Sequence, residues 1–156
     1  MRPAPIHFWF DFISPFGYCA SLRIDELAAR HGREVCWHPL LIGVTVLKVM
    51  GLKPLMQTPL KADYIRRELA RYERRHGVVI ARPVARPPMN PLPPARAFAW
   101  LLQHAPAQAK PFARAAYRAH WSAGVELDQP QALLACGAEA GVPPDLMQQA
   151  LTDPAA

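Results

Sequence analysis

The stretch Ile6-His7-Phe8-Trp9-Phe10-Asp11-Phe12-Ile13-Ser14-Pro15-Phe16-Gly17-Tyr18 restricts what this chain can fold into more than any other. Ile6, Phe8, Phe10 and Phe12 fall on one side of a period-2 ladder, with His7, Trp9 and Asp11 on the other, which predicts a half-buried strand. Ser14 then supplies a capping side chain, and Pro15 has the φ preferred at a first helical position. A strand that runs straight into a helix start turns backbone N–H groups and the positive end of the helix dipole toward whatever lies beside the serine. On these residues alone two roles stay open for Ser14: a plain helix cap, or part of a place that holds an anion.

The following segments supply a partner for that strand. Pro15 to His31 has a helical pattern in which Cys19, Leu22, Ile24, Leu27 and Ala28 share an apolar stripe, with Gly32 as the stop. Glu34 to His38, ending at Pro39, reads as a second strand. Strand, helix, strand within forty residues is a βαβ unit with parallel pairing, and in such sheets ligands sit beyond the C-terminal strand ends, where Ser14 lies.

The remainder reads as helical. Leu40 to Met50 is too short to cross a membrane and suits a loop followed by a buried helical turn, with an irregular connection from Gly51 to Pro59. Thr58-Pro59 opens a helix to His76 with Gly77 as its stop; Leu60, Tyr64, Leu69 and Tyr72 face a core, and its arginines form a solvated face with i to i+4 ion pairs. The proline-dense run Val78 to Pro94 is extended. Helices follow over Ala95–His104, from Pro106 through Trp121 with Phe112, Ala116 and Tyr117 inward, from an Asp128 cap to Ala140, and from Pro143-Pro144-Asp145 to Leu151. Trp37 and Trp121 read as core residues.

The chain has 156 residues, enough for one core, and 51% of them are apolar, which excludes a disordered chain. The net charge of +6 favours acidic partners. Its arginines are scattered and accompany no aromatic recognition motif, so a nucleic-acid partner is not expected. Cys19, Cys36 and Cys136 have neither C-x-x-C nor zinc-finger spacing; no metal site is expected, and they read as small apolar residues in a reducing compartment. With no signal-peptide pattern and no membrane-length apolar run, the expectation is a cytoplasmic protein with no membrane partner.

Taken together, these residues resemble the 2-hydroxychromene-2-carboxylate isomerases and the kappa-class glutathione transferases, which share the thioredoxin-like fold with the bacterial disulfide oxidoreductases. The resemblance runs from Phe10-Asp11-Phe12-Ile13-Ser14-Pro15-Phe16 through Trp37-His38-Pro39-Leu40-Leu41-Ile42-Gly43 and Thr58-Pro59-Leu60-Lys61-Ala62-Asp63-Tyr64. It continues in Pro88-Met89-Asn90-Pro91-Leu92-Pro93-Pro94-Ala95-Arg96 and Trp121-Ser122-Ala123-Gly124-Val125-Glu126-Leu127-Asp128. It implies an α/β fold: one thioredoxin-like domain over residues 1–156, with a βαβ start and a large all-helical insertion over about 44–151. It further implies glutathione as cofactor, with Ser14 as the catalytic residue whose hydroxyl holds the borrowed thiolate, and with Pro15, Phe16 and Lys61 beside it. Lys48 and Asn90 would bind a small anionic aromatic-derived substrate. The reaction implied is thiolate addition, bond rotation and elimination, without net redox change. Family members are commonly dimers, so a homodimer is expected.

The bland readings of the same residues are an exposed lysine at positions 48 and 61 and a turn residue at Asn90. The window Ser14-Pro15-Phe16-Gly17 contains no cysteine, which removes thiol–disulfide exchange at this position. Two departures from the family pattern stand out. Leu52 lies where many relatives have an asparagine that contacts ligand. The relatives also continue past the equivalent of Leu151 with a Val-Pro segment and a ββα part that this sequence lacks, so an incomplete domain is expected. The alternatives that follow are a non-catalytic thioredoxin-like binding module and a kappa-class-type transferase.

Overall fold

Period-2 alternation at the start of the chain builds a strand, β1 (Ile6–Phe10), in which Ile6 and Phe8 are half-buried, Phe10 is buried, and His7 and Trp9 are exposed. The computed structural model describes residues 3–154; Met1, Arg2, Ala155 and Ala156, including the arginine of the N-terminal stretch and the last two residues of the sequence, lie outside them. The alternation ends at Phe10, because Asp11 and Phe12 are both buried. Asp11 therefore does not share the solvent side of the ladder with His7 and Trp9.

The segment expected to be one helix is two, α1 (Pro15–Ser21) and α2 (Ile24–Arg30). Ser21 Oγ donates to the Tyr18 carbonyl at 2.7 Å, and Arg23 leaves the helical region at φ −129. The break changes the helical phase: Cys19 and Ala28 are buried, whereas Leu22 and Leu27 are exposed. Gly32, at φ +63, ends the pair as expected. The second strand, β2 (Val35–Pro39), pairs parallel to β1 with Ile6 opposite Val35 and Phe10 opposite Pro39.

From Gly43 to Thr152 every regular element among the described residues is helical. A wide π-type turn (Gly43–Val49) and a short 3-10 turn (Leu55–Gln57) lead to α3 (Lys61–His76). The π-type turn contains no buried residue, contrary to the expected buried turn. Thr58 does not cap α3; its hydroxyl donates to the Pro54 carbonyl, and Leu60 holds the cap position. This turns Ile65 and Leu69 inward and leaves Leu60 and Tyr64 exposed. The arginine face pairs at i to i+3, Arg66 with Asp63 and Arg71 with Glu68.

The helical body follows as α4 (Leu92–His104), α5 (Pro106–Tyr117), α6 (Pro130–Glu139) and α7 (Pro144–Thr152). Helix α4 starts three residues before Ala95 because its prolines occupy first-turn positions where no N–H is needed. Gln129, not Asp128, precedes α6. A second π-type turn, Arg118–Ser122, continues α5. Phe98, Leu101, Phe112, Tyr117, Leu133 and Met147 fill the core, with Trp37 and Trp121 buried beside them. The inner face of the sheet rests on this body: Phe10 meets Phe98 edge-on at 5.1 Å, and Phe12 lies 5.2 Å from Tyr117. Asp25 of α2 accepts from Lys110, Arg114 and Trp37 Nε1, joining α2, α5 and β2. Among the described residues no helix is long and apolar enough to cross a membrane.

Candidate active site

Beyond the C-terminal end of β1 the chain opens a cleft of about 370 Å³, lined by residues that include Asp11, Ser14, Phe16, Ile42 and Val46, with the aromatic rings of β1 behind them. Ser14 is the N-cap of α1: its extended backbone (φ −91, ψ 113) lets Oγ accept the Gly17 N–H at 3.0 Å. An accepting hydroxyl keeps its own proton for a second acceptor, so capping and thiolate binding are compatible roles. Pro15 brings no N–H to this helix start.

The helical body holds this turn in place. Tyr117 on α5 donates its phenol to the Asp11 carbonyl at 2.9 Å, and Trp121 Nε1 donates to the Phe12 carbonyl at 3.0 Å. Gly17 is required by the same packing, since a Cβ there would lie 2.6 Å from Tyr117 Oη. Burial holds the Tyr117 phenol well above its ordinary range, so it stays a donor.

Asp11 is the residue that sequence reasoning missed. Its carboxylate is 2% exposed, accepts the Ile13 N–H at 3.1 Å and the Ile42 N–H at 2.7 Å, and contributes to the cleft wall. Burial raises its pKa, and the Ile42 and Ile13 bonds oppose that rise. The available signal was an aspartate two residues before an apolar position in a strand-to-helix turn, where its side chain can bond the backbone two residues on.

Of the residues singled out from the sequence, the structure brings Ser14 and Phe16 together in the cleft wall, with Pro15 between them. Lys48 is exposed on the π-type turn whose Val46 lines the cleft. Lys61 is exposed at the start of α3, and neither lysine is a lining residue. Asn90 makes a turn: its Oδ1 accepts the Leu92 N–H at 3.1 Å, ahead of α4. The lining includes a carboxylate and a hydroxyl but no cationic side chain. Cys19, five residues after Ser14, is buried, and burial pushes its thiol up to about 11, which makes it a poor thiolate. Among the described residues no group of three or more His, Cys, Asp or Glu is placed to hold a metal ion.

Comparison with known proteins bears on family and fold. A 2-hydroxychromene-2-carboxylate isomerase of Sphingobium xenophagum is 27% identical over 158 residues, covering 96% of this chain and 75% of the relative. An isomerase of the same name from Pseudomonas putida is 24% identical over 124 residues, covering 79% of this chain and 59% of the relative. The chain thus spans less than two thirds of the length of that second protein. Among solved structures, a 2-hydroxychromene-2-carboxylate isomerase superposes with a TM-score of 0.73 at 24% identity, over 96% of this chain and 71% of the other, and so shares its fold. The profile of the DSBA-like thioredoxin domain matches residues 5–156. The chain belongs to the DSBA-like thioredoxin domain family.

Proposed function

We propose that the chain is a glutathione-dependent isomerase of the 2-hydroxychromene-2-carboxylate type. The observation that carries this reading is the Ser14 hydroxyl: it accepts the Gly17 N–H, keeps its own proton free to donate, and stands in the wall of an open, mainly apolar cleft. The names of the two relatives support the reaction class.

The residues present fit the sulfur end of glutathione. Ser14 would donate its free hydroxyl proton to the sulfur, and the start of α1 would add a favourable dipole. Both favour S⁻ over SH, lowering the thiol pKa from about 8.5. When bound, glutathione would supply the thiolate nucleophile for a reversible addition to the substrate. Pro15 and Phe16 shape the wall beside the sulfur. Phe8, Phe10, Leu40 and Ile42 offer an apolar seat for a planar ring. Lys48, on the turn next to Val46, is the cation closest in sequence to the cleft wall and is assigned to the substrate carboxylate. The net charge of +6 draws such an anion from a distance. Lys61 and Asn90 lie outside the wall and take no part in this scheme.

The test is Ser14→Ala, assayed for glutathione-dependent isomerisation of 2-hydroxychromene-2-carboxylate and for stability. Turnover falls at least about a hundredfold, a loss typical of a donor to developing charge, while stability falls by about 1 kcal/mol for the lost cap. Full activity with only a lowered melting temperature would reduce Ser14 to a cap. A wild-type chain that is folded but inactive favours the binding-module reading.

A further inference from the structure

We propose that Asp11 is the positioning residue of the Ser14 cleft, its carboxylate latching the segment 41–50 through the Ile42 N–H and so holding Ile42 and Val46 opposite the serine. The reading of the cleft as a ligand site rests on the proposed function; the latch itself does not.

The last ladder bond of the sheet runs from Leu40 N–H to the Phe10 carbonyl, at 2.8 Å. Past it, the Val44 and Thr45 N–H groups bond the Leu41 carbonyl and Met50 N–H bonds the Thr45 carbonyl, all within the segment, and Leu52 N–H bonds the Val46 carbonyl from just beyond it. No residue of Gly43–Val49 is buried, so packing does little to fix it. Among the described residues, the bond from Ile42 N–H to Asp11 Oδ2 at 2.7 Å ties this segment back to the Ser14 turn, across 31 positions of sequence.

Asp11 is well anchored for that task. Its Oδ1 takes the Ile13 N–H within its own turn, its carbonyl takes the Tyr117 phenol at 2.9 Å, and that same carbonyl takes the Ser14 N–H at 3.0 Å. One residue thus sets both the serine and the opposite wall. A carboxylate offers an acceptor to each of the two N–H groups, and these charge-assisted bonds are stronger than neutral ones. An asparagine offers one oxygen, and its amide would face the other N–H. The titratable group set against Asp11 is Tyr117 of α5, which remains protonated; Lys48, on the latched segment, is exposed to solvent. Burial and the two backbone donors govern the charge of Asp11, with no charged side chain among those causes.

Hydrogen exchange by mass spectrometry on the full ligand-free chain tests the latch. In Asp11→Asn the amides of 42–49 exchange about tenfold or more faster, as expected for loss of a charge-assisted bond, while α4 and α5 are unchanged. In Ile42→Pro, which deletes the donor N–H at a position whose φ of −55 suits proline and leaves Asp11 intact, the amides of 43–49 also exchange faster. Unchanged exchange over 42–49, or loosening in step with α4 and α5, overturns the proposal. Should Asp11→Asn fail to fold, Ile42→Pro decides alone: unchanged exchange over 43–49 in that variant overturns the proposal. Added glutathione separates the two claims, because a wild type that binds none removes the glutathione reading and leaves the exchange result to judge the latch.

Discussion

At the scale of single residues, the site depends on close contacts around the Ser14 turn. Gly17 is there because Tyr117 Oη would lie 2.6 Å from any added Cβ. Gly17→Ala therefore costs about 1–3 kcal/mol, the usual range for overpacking, measured by denaturant unfolding. Tyr117→Phe removes both the clash and the bond to the Asp11 carbonyl. The double variant is accordingly less destabilised than the sum of the two single changes; strict additivity would deny the contact. His120 gives a second residue-level expectation. Burial lowers its pKa below 6.5, with Arg82 and Arg86 acting in the same direction against the Val125 carbonyl bond and Glu126. The folded state then binds the proton less well than the unfolded chain. This contribution to stability is complete above pH 6.5 and is lost as pH falls through the lower folded value. Stability measured from pH 7 downward should fall less steeply in His120→Gln than in the wild type.

At the scale of elements, the entry to α3 shows where local sequence and structure disagree. Leu60 sits at φ +67 while 90% exposed, a backbone strain with no burial to offset it. Leu60→Gly is expected to raise stability by about 0.5–1 kcal/mol, read as a higher urea midpoint; a lower midpoint would contradict this. The same junction explains what the sequence could and could not reveal. Thr58-Pro59 carries a cap-then-proline signal, but its hydroxyl turns back to Pro54, which moves the cap to Leu60 and rotates Tyr64 outward. Helix stops were legible because Gly32, Gly77 and Gly141 all adopt positive φ, which the sequence marks directly. The strand pair and the Ser14 cap were legible from alternation and cap chemistry. The break between α1 and α2 was not, since it depends on the Ser21 hydroxyl choosing a backbone carbonyl. Asp11 was misplaced for a similar reason: period-2 reasoning ends where the ladder ends, and one residue later the side chain answers to Ile42, 31 positions away.

At the scale of the whole molecule, the helical body and the inner sheet face share one core, and the Ser14 cleft lies where the sheet ends. In the function we propose, the reacting thiol is the ligand's. Burial pushes both Cys19 and Cys136 up to about 11, so these thiols should react with an aromatic disulfide reagent only on unfolding, with half-buried Cys36 labelled first. Rapid native labelling of Cys19 or Cys136 would contradict that burial. Calorimetric titration with glutathione in buffers of different ionisation enthalpy tests whether Ser14 holds a glutathione thiolate, as we propose. Saturable binding to a chain shown folded by circular dichroism is expected, with net proton release near neutral pH that Ser14→Ala diminishes. Absence of binding at millimolar glutathione, or undiminished proton release in Ser14→Ala, would contradict it.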